Sequence, residues 1–96
     1  MKNDKKLPQF KMAYYLKKDW DRLMNSIVDR DSMHDTWEEW HAKYMETKKY
    51  MESQGCVVHD IIIDIDQLND YCRRNGLAND GKTRSSYVGK FQLPLN

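Results

Sequence analysis

From Trp20 the apolar residues recur at helical spacing. Trp20, Leu23, Met24, Ile27 and Val28 stand at i, i+3, i+4, i+7 and i+8, which predicts a helix from about Lys18 to Arg30 with one inward stripe. Asp31 and Ser32 start a turn. Asp35 followed by Glu38 resembles a capping box, and opens a second helix running to about Gln54, with Trp37, Trp40, His41, Tyr44, Met45, Lys48 and Met51 on one face. Gly55 supplies its stop. Two stretches show period 2 instead. In residues 10–16, Phe10, Met12, Tyr14 and Leu16 alternate with Lys11, Ala13 and Tyr15, and predict a strand, with a helix as the competing assignment. Residues 56–65 are β-branched and nearly continuous, a strand with both faces at least partly covered.

Asp64, with Gln67 three residues on, caps a third helix that turns Ile65, Leu68, Tyr71 and Cys72 inward and ends at Gly76. Asn79, Asp80 and Gly81 form a turn. Thr83 is placed to cap a last short helix carrying Tyr87, Val88 and Phe91, which Pro94 ends. The expected fold is therefore α+β, in the order β-α-α-β-α-α: a small two-stranded sheet packed with three main helices and a short C-terminal one. Residues 1–96 read as one domain, with 1–8 a flexible basic lead-in and 92–96 a tail. Two strands alone are marginal. Either helices shield the sheet or two copies pair through a strand edge, and the second option predicts a homodimer.

Composition adds a polarity to this picture. Net charge is only +1, yet residues 1–18 hold six Lys against Asp4, residues 19–65 hold five basic and eleven acidic groups, and residues 66–96 hold five basic against three acidic. Both ends are basic around an acidic middle, so an electrostatic partner would meet the ends. No apolar run approaches the ~20 residues of a membrane span, and no apolar segment follows the N-terminal lysines as in a secretory signal. These features lead us to expect a cytoplasmic protein with no membrane contact. Cys56 and Cys72 are then expected as reduced thiols.

Residues Gly76 to Thr83 read GLANDGKT and satisfy the phosphate-loop pattern G-x-x-x-x-G-K-[ST] at every fixed position. The context argues against nucleotide binding. Such a loop follows a buried strand and opens a long helix, whereas a helix precedes it here and 13 residues follow Thr83. Asp80 would also set a carboxylate among the phosphates. The same bend nevertheless gathers Lys82, Thr83 and Arg84 at a helix start and Arg73 and Arg74 at the end of the preceding helix. Unpaired N–H groups and basic side chains there would make a corner suited to a backbone phosphate or a partner carboxylate. The competing account is structural: cations favour helix C-termini, and Arg84 could pair with Asp80 or Asp66.

Two resemblances bear on this segment. Trp37, Trp40, Gly55, Asp64, Asp66, Tyr71, Cys72, Gly76, Leu77, Asp80, Gly81, Lys82 and Arg84 resemble the pattern of a family of small uncharacterised bacterial proteins, with a Trp-containing helical front, a strand, a helix ending in Cys and a GL turn, then D-G-K-x-R. That family has an aromatic where Leu68 stands and Trp where Tyr71 stands, and the resemblance implies no activity. Leu68, Gly76, Leu77, Gly81 and Lys82 are similar to a SAP-type helix-extended loop-helix module, which implies duplex DNA contact through the turn and second-helix start. Here the second helix is shorter, contains Gly89, and lies behind a strand that such modules lack.

Other chemistry finds little support. Glu38-x-x-His41 has the spacing of a di-iron helix motif without its second copy, and Cys56 and Cys72 fit no zinc pattern. Cys72 sits near a helix C-terminus on the apolar side, where a thiolate is disfavoured. Asp64 and Asp66 serve as helix-start acids. We therefore expect no catalytic residue, cofactor or metal. The leading reading is a non-enzymatic regulatory module contacting nucleic acid or an acidic protein through Arg73, Arg74, Lys82, Thr83 and Arg84. The alternative is a protein-interaction module, or small inhibitor from a mobile element, using its aromatic helix surface.

Overall fold

The computed structural model describes residues 7–93, so the predicted lead-in and tail lie largely outside the described residues. The element order is β1 (Gln9–Tyr14), α1 (Trp20–Ser26), α2 (Trp37–Ser53), β2 (Val57–Ile62), α3 (Ile65–Asn75) and α4 (Gly81–Gly89), with 3-10 turns at Lys17–Asp19 and Arg30–Ser32. This is the expected α+β order. The two strands run parallel, from Gln9 opposite Val57 to Tyr14 opposite Ile62. A parallel pair needs a long crossover, and α1 and α2 provide it.

α2 stands on one face of the sheet. Its start is a capping box shifted one residue from the expected position: Thr36 Oγ1 accepts from the Glu39 N–H at 3.1 Å, and the Glu39 carboxylate accepts from the Thr36 N–H at 3.3 Å. A hydroxyl with a carboxylate three residues on is the stronger capping box, and it was one step along from Asp35 and Glu38. Tyr14 meets Trp40, His41 and Tyr44 edge-on, with ring centroids 5.3–5.7 Å apart. Trp40 in turn packs on Tyr15, Trp20 and Tyr44. Such edge-to-face contacts add to simple area burial. At the sheet, Asp60 accepts from the Tyr44 hydroxyl at 2.5 Å and pairs with Lys48 at 2.9 Å. Burial acts to raise the Asp60 pKa, but the Tyr44 and Lys48 hydrogen bonds outweigh it and hold the carboxyl below its ordinary range. Burial, and then the Asp60 contact, push the Tyr44 hydroxyl well above its usual pKa.

α4 packs along β1. Lys11 fastens it, donating from Nζ to the carbonyl oxygens of Gly89 (2.8 Å) and Phe91 (2.6 Å). Those oxygens belong to the helix end, where carbonyls lack intrahelical partners and a cation is favoured. Leu23, Ile63, Ile65 and Leu68 are the most deeply buried side chains of the core that joins α1, α3 and the strands. Cys72 is buried, Cys56 is half-buried, and both are free thiols; burial pushes the Cys72 thiol pKa up. Asp64 caps α3 as expected, accepting from the Gln67 N–H at 3.0 Å, and Gly76 closes α3 at φ 63°, a conformation that costs glycine little.

Two expectations are corrected. α1 stops at Ser26 rather than near Arg30: Ile27 is extended (ψ 153°), and Val28, expected inward, is 68% exposed. Tertiary bonds override the periodicity there, because the Val28 N–H donates to the Asn79 carbonyl at 3.0 Å. Similarly, α4 begins two residues before the expected cap, with Asp80 rather than Thr83 accepting the capping bond.

Leu23 is fully enclosed, so Leu23→Ala should lower unfolding free energy by roughly 2–5 kcal/mol. Urea denaturation with an unchanged m-value measures this; a loss below ~1 kcal/mol would mean the site is not packed as described.

Candidate functional site

The GLANDGKT bend is an internal lock. Arg84 is 6% exposed. Its Nη2 meets Asp29 Oδ2 at 2.8 Å, and its Nη1 donates to the Asn79 carbonyl (3.0 Å) and Oδ1 (3.2 Å). Asp29 Oδ2 also accepts from the Gly81 N–H and the Ser32 hydroxyl, both at 3.0 Å. Asn79 donates from Nδ2 to Asn69 Oδ1 (3.0 Å), and Asn69 donates onward to the Ser26 hydroxyl (2.9 Å). One network thus joins the end of α1, the middle of α3 and the start of α4. The Arg84 hydrogen bond, with that of Ser32, holds the Asp29 carboxyl below its ordinary pKa.

This network corrects the expected anion corner. Thr83 is buried, and its N–H is taken by Asp80 Oδ1 at 2.9 Å. Arg84 is buried and neutralised by Asp29, a partner 55 residues away that local pairing with Asp80 or Asp66 did not suggest. The first-turn amides of Gly81 and Thr83 therefore face the chain's own carboxylates, which fill the space a phosphate would use.

The other three expected residues stay on the surface. Arg73 and Arg74 leave the last turn of α3, and both grip Asp70, Arg74 Nε at 2.8 Å. Two guanidiniums on one carboxylate leave one positive charge over. Lys82 is exposed and has no acidic partner among the described residues. Lys90, outside the expected set, completes this face. It is exposed, lies eight residues beyond Lys82, and carries its ammonium 5.9 Å from the centre of the Tyr71 ring.

Between α3 and α4 runs an aromatic row. Tyr71 and Tyr87 are 5.0 Å apart with planes tilted at 52°, and Tyr87 meets Phe91 edge-on at 5.3 Å. All three are half-buried. Tyr71, Tyr87, Gln67 and Arg74 line a shallow groove of about 360 Å³, together with Asp66 and Asp70. Each of these acids already has a basic partner: Arg22 bonds Asp66, and Arg73 and Arg74 hold Asp70. Sequence reasoning turned Tyr71 inward and gave Tyr87 no role beyond its place on the last helix. The available signal was the spacing of Lys82, Ser86 and Lys90, a polar stripe beside Thr83, Tyr87 and Phe91.

No helix is long and apolar enough to cross a membrane among the described residues. Compared with protein-family models, curated proteins and solved structures, the chain matches none.

Removing Asp29 leaves the Arg84 charge buried and unpaired. Asp29→Ala should therefore cost about 3–5 kcal/mol, and Asp29→Ala with Arg84→Met appreciably less. The wild-type contribution is complete above the unfolded Asp pKa, about 3.9, and disappears as pH falls through the lower folded value. Denaturation midpoints between pH 2 and pH 6 should show the Asp29→Asn variant losing less stability on acidification than wild type; parallel curves would contradict the pair.

Proposed function

We propose that the protein is a non-enzymatic binding module whose α3–α4 face contacts a nucleic-acid strand. The supporting observation is the half-buried row Tyr71, Tyr87 and Phe91 flanked by Arg74 and Lys90, with Lys82 further along α4. Aromatic faces and cations in excess of their acidic partners together suit a backbone with bases that can leave their stack. The tilted, half-buried rings favour single-stranded over duplex nucleic acid, since the faces of paired bases stay stacked on one another. In this reading the cations hold phosphates and the rings receive one or two bases. Gln67 is placed to hydrogen-bond a base edge. The buried network beneath fixes the angle between α3 and α4, and thereby the geometry of the face, without touching the ligand.

The test is fluorescence anisotropy with a mixed-sequence single strand and the matching duplex. At ~50 mM salt the single strand should bind more tightly, and affinity should fall steeply as salt rises. Lys82→Ala with Lys90→Ala should weaken binding and flatten the log–log salt slope by roughly one for each phosphate no longer neutralised. Tyr87→Ala should weaken binding with the slope nearly unchanged, because stacking releases no counterions. Absence of binding at low salt, or equal binding by the double-Lys variant, removes the proposal.

A further inference from the structure

The outer edge of β1 forms the floor of a cleft. In the parallel pair, the Val57 N–H donates to the Pro8 carbonyl and the Ile63 N–H to the Tyr14 carbonyl. Even-numbered residues of β1 therefore turn their main-chain groups toward β2, and Gln9, Lys11 and Ala13 turn theirs away. The same outward row continues to the Tyr15 carbonyl, which accepts from Trp37 Nε1 at 2.8 Å. The row thus already engages a donor at one end. The main-chain groups of Lys11 and Ala13 have no partner among the described residues.

A cavity of about 410 Å³ lies along this row. Lys11, Met12 and Ala13 line it from β1, Trp40 and Tyr44 from α2, and Val88 from α4. Adjacent strand residues point to opposite faces, so one cavity meets all three only by opening on the strand's edge. Its walls are mostly apolar and no carboxylate lines it. Arg84 reaches it already neutralised by Asp29, and the Lys11 ammonium is turned away onto the Gly89 and Phe91 carbonyls at a separate depression, so the cleft itself presents no free charge.

We propose that this cleft captures an extended segment of another protein as the third strand of the sheet. The free N–H and C=O groups specify strand conformation in the ligand. The two walls call for apolar side chains at alternate positions, toward Trp40 and Tyr44 on one side and Val88 on the other. A second copy does not fit the same role, because its β1 is recessed behind its own α2 and α4 and cannot be offered to the first. This surface is separate from the α3–α4 face, and neither proposal depends on the other.

The experiment pans a phage-displayed random dodecapeptide library on the immobilised full chain, then titrates the most enriched peptide in solution. The enriched set should alternate apolar residues, and the bound peptide should slow amide exchange at Lys11 and Ala13. Ala13→Pro deletes an outward N–H and leaves the β2 ladder whole, as proline on a strand edge can. It should weaken the peptide about tenfold or more, the loss that follows from an unpaired buried carbonyl. Ser85→Trp, which narrows the cleft from α4 and leaves the strand alone, should weaken it comparably and serves if the proline variant does not fold. The proposal is overturned by failure to enrich any such set, by peptide binding that Ser85→Trp leaves intact, or by sedimentation showing a dimer that Ser85→Trp dissociates.

Discussion

The guanidinium of Arg84 cannot lie inside this fold uncompensated, and that constraint organises the second half of the chain. Its partner, Asp29, sits in the segment that follows α1, so the pair draws together regions far apart in sequence. A buried ion pair contributes little net stability against a well-packed apolar alternative, but one partner without the other is strongly unfavourable. The pair acts here through geometry. Asp29 also holds the first amide of α4 and the Ser32 hydroxyl, while Arg84 holds both carbonyl oxygens of Asn79. With Asn69 and Ser26 joined on, little freedom is left in how α1, α3 and α4 meet.

That lock explains why a perfect phosphate-loop string carries no phosphate-loop structure. The string fixes glycine, lysine and threonine positions, but the function of such a loop rests on free amides. Here Asp29 and Asp80 occupy them. Charge near a helix start is informative only when the side chain's burial is known, and Arg84 and Lys82, two residues apart, have opposite fates. A helix turns about 100° per residue, so positions 82 and 84 lie on nearly opposite sides. Arg84 shares the inward side with Val88, while Lys82 faces outward.

Much of the architecture was legible in the residues. The β-branched run before Asp64, the Asp64–Gln67 cap, Gly76 as the α3 stop and the tryptophan-bearing face of α2 are local signals strong enough to survive tertiary contact. The end of α1 was not legible, because Ile27 and Val28 fit a helix by periodicity and are pulled out of it by a bond to Asn79. The candidate site was legible only as composition. Arg73, Arg74 and Lys82 stay exposed, Thr83 and Arg84 are buried because their partners are the helix cap or an acid from elsewhere, and Lys90 went unnoticed until the fold set its ammonium over Tyr71. Parallel pairing of the strands likewise depends on the crossover, which no single segment announces.

The clasp of Lys11 on the far end of α4 spans 78 and 80 residues of sequence. β1 also waits for a neighbour 48 residues downstream, since Gln9 pairs with Val57. During translation the first strand therefore leaves the ribosome with nothing to hold it. The helices can form as they emerge, but the sheet closes only once residue 62 is free, and its fastening only once the polypeptide near residue 90 is free. Such long-range closure slows folding, and until it happens the row of aromatic and apolar groups in residues 10–15 is open to whatever else the nascent chain meets.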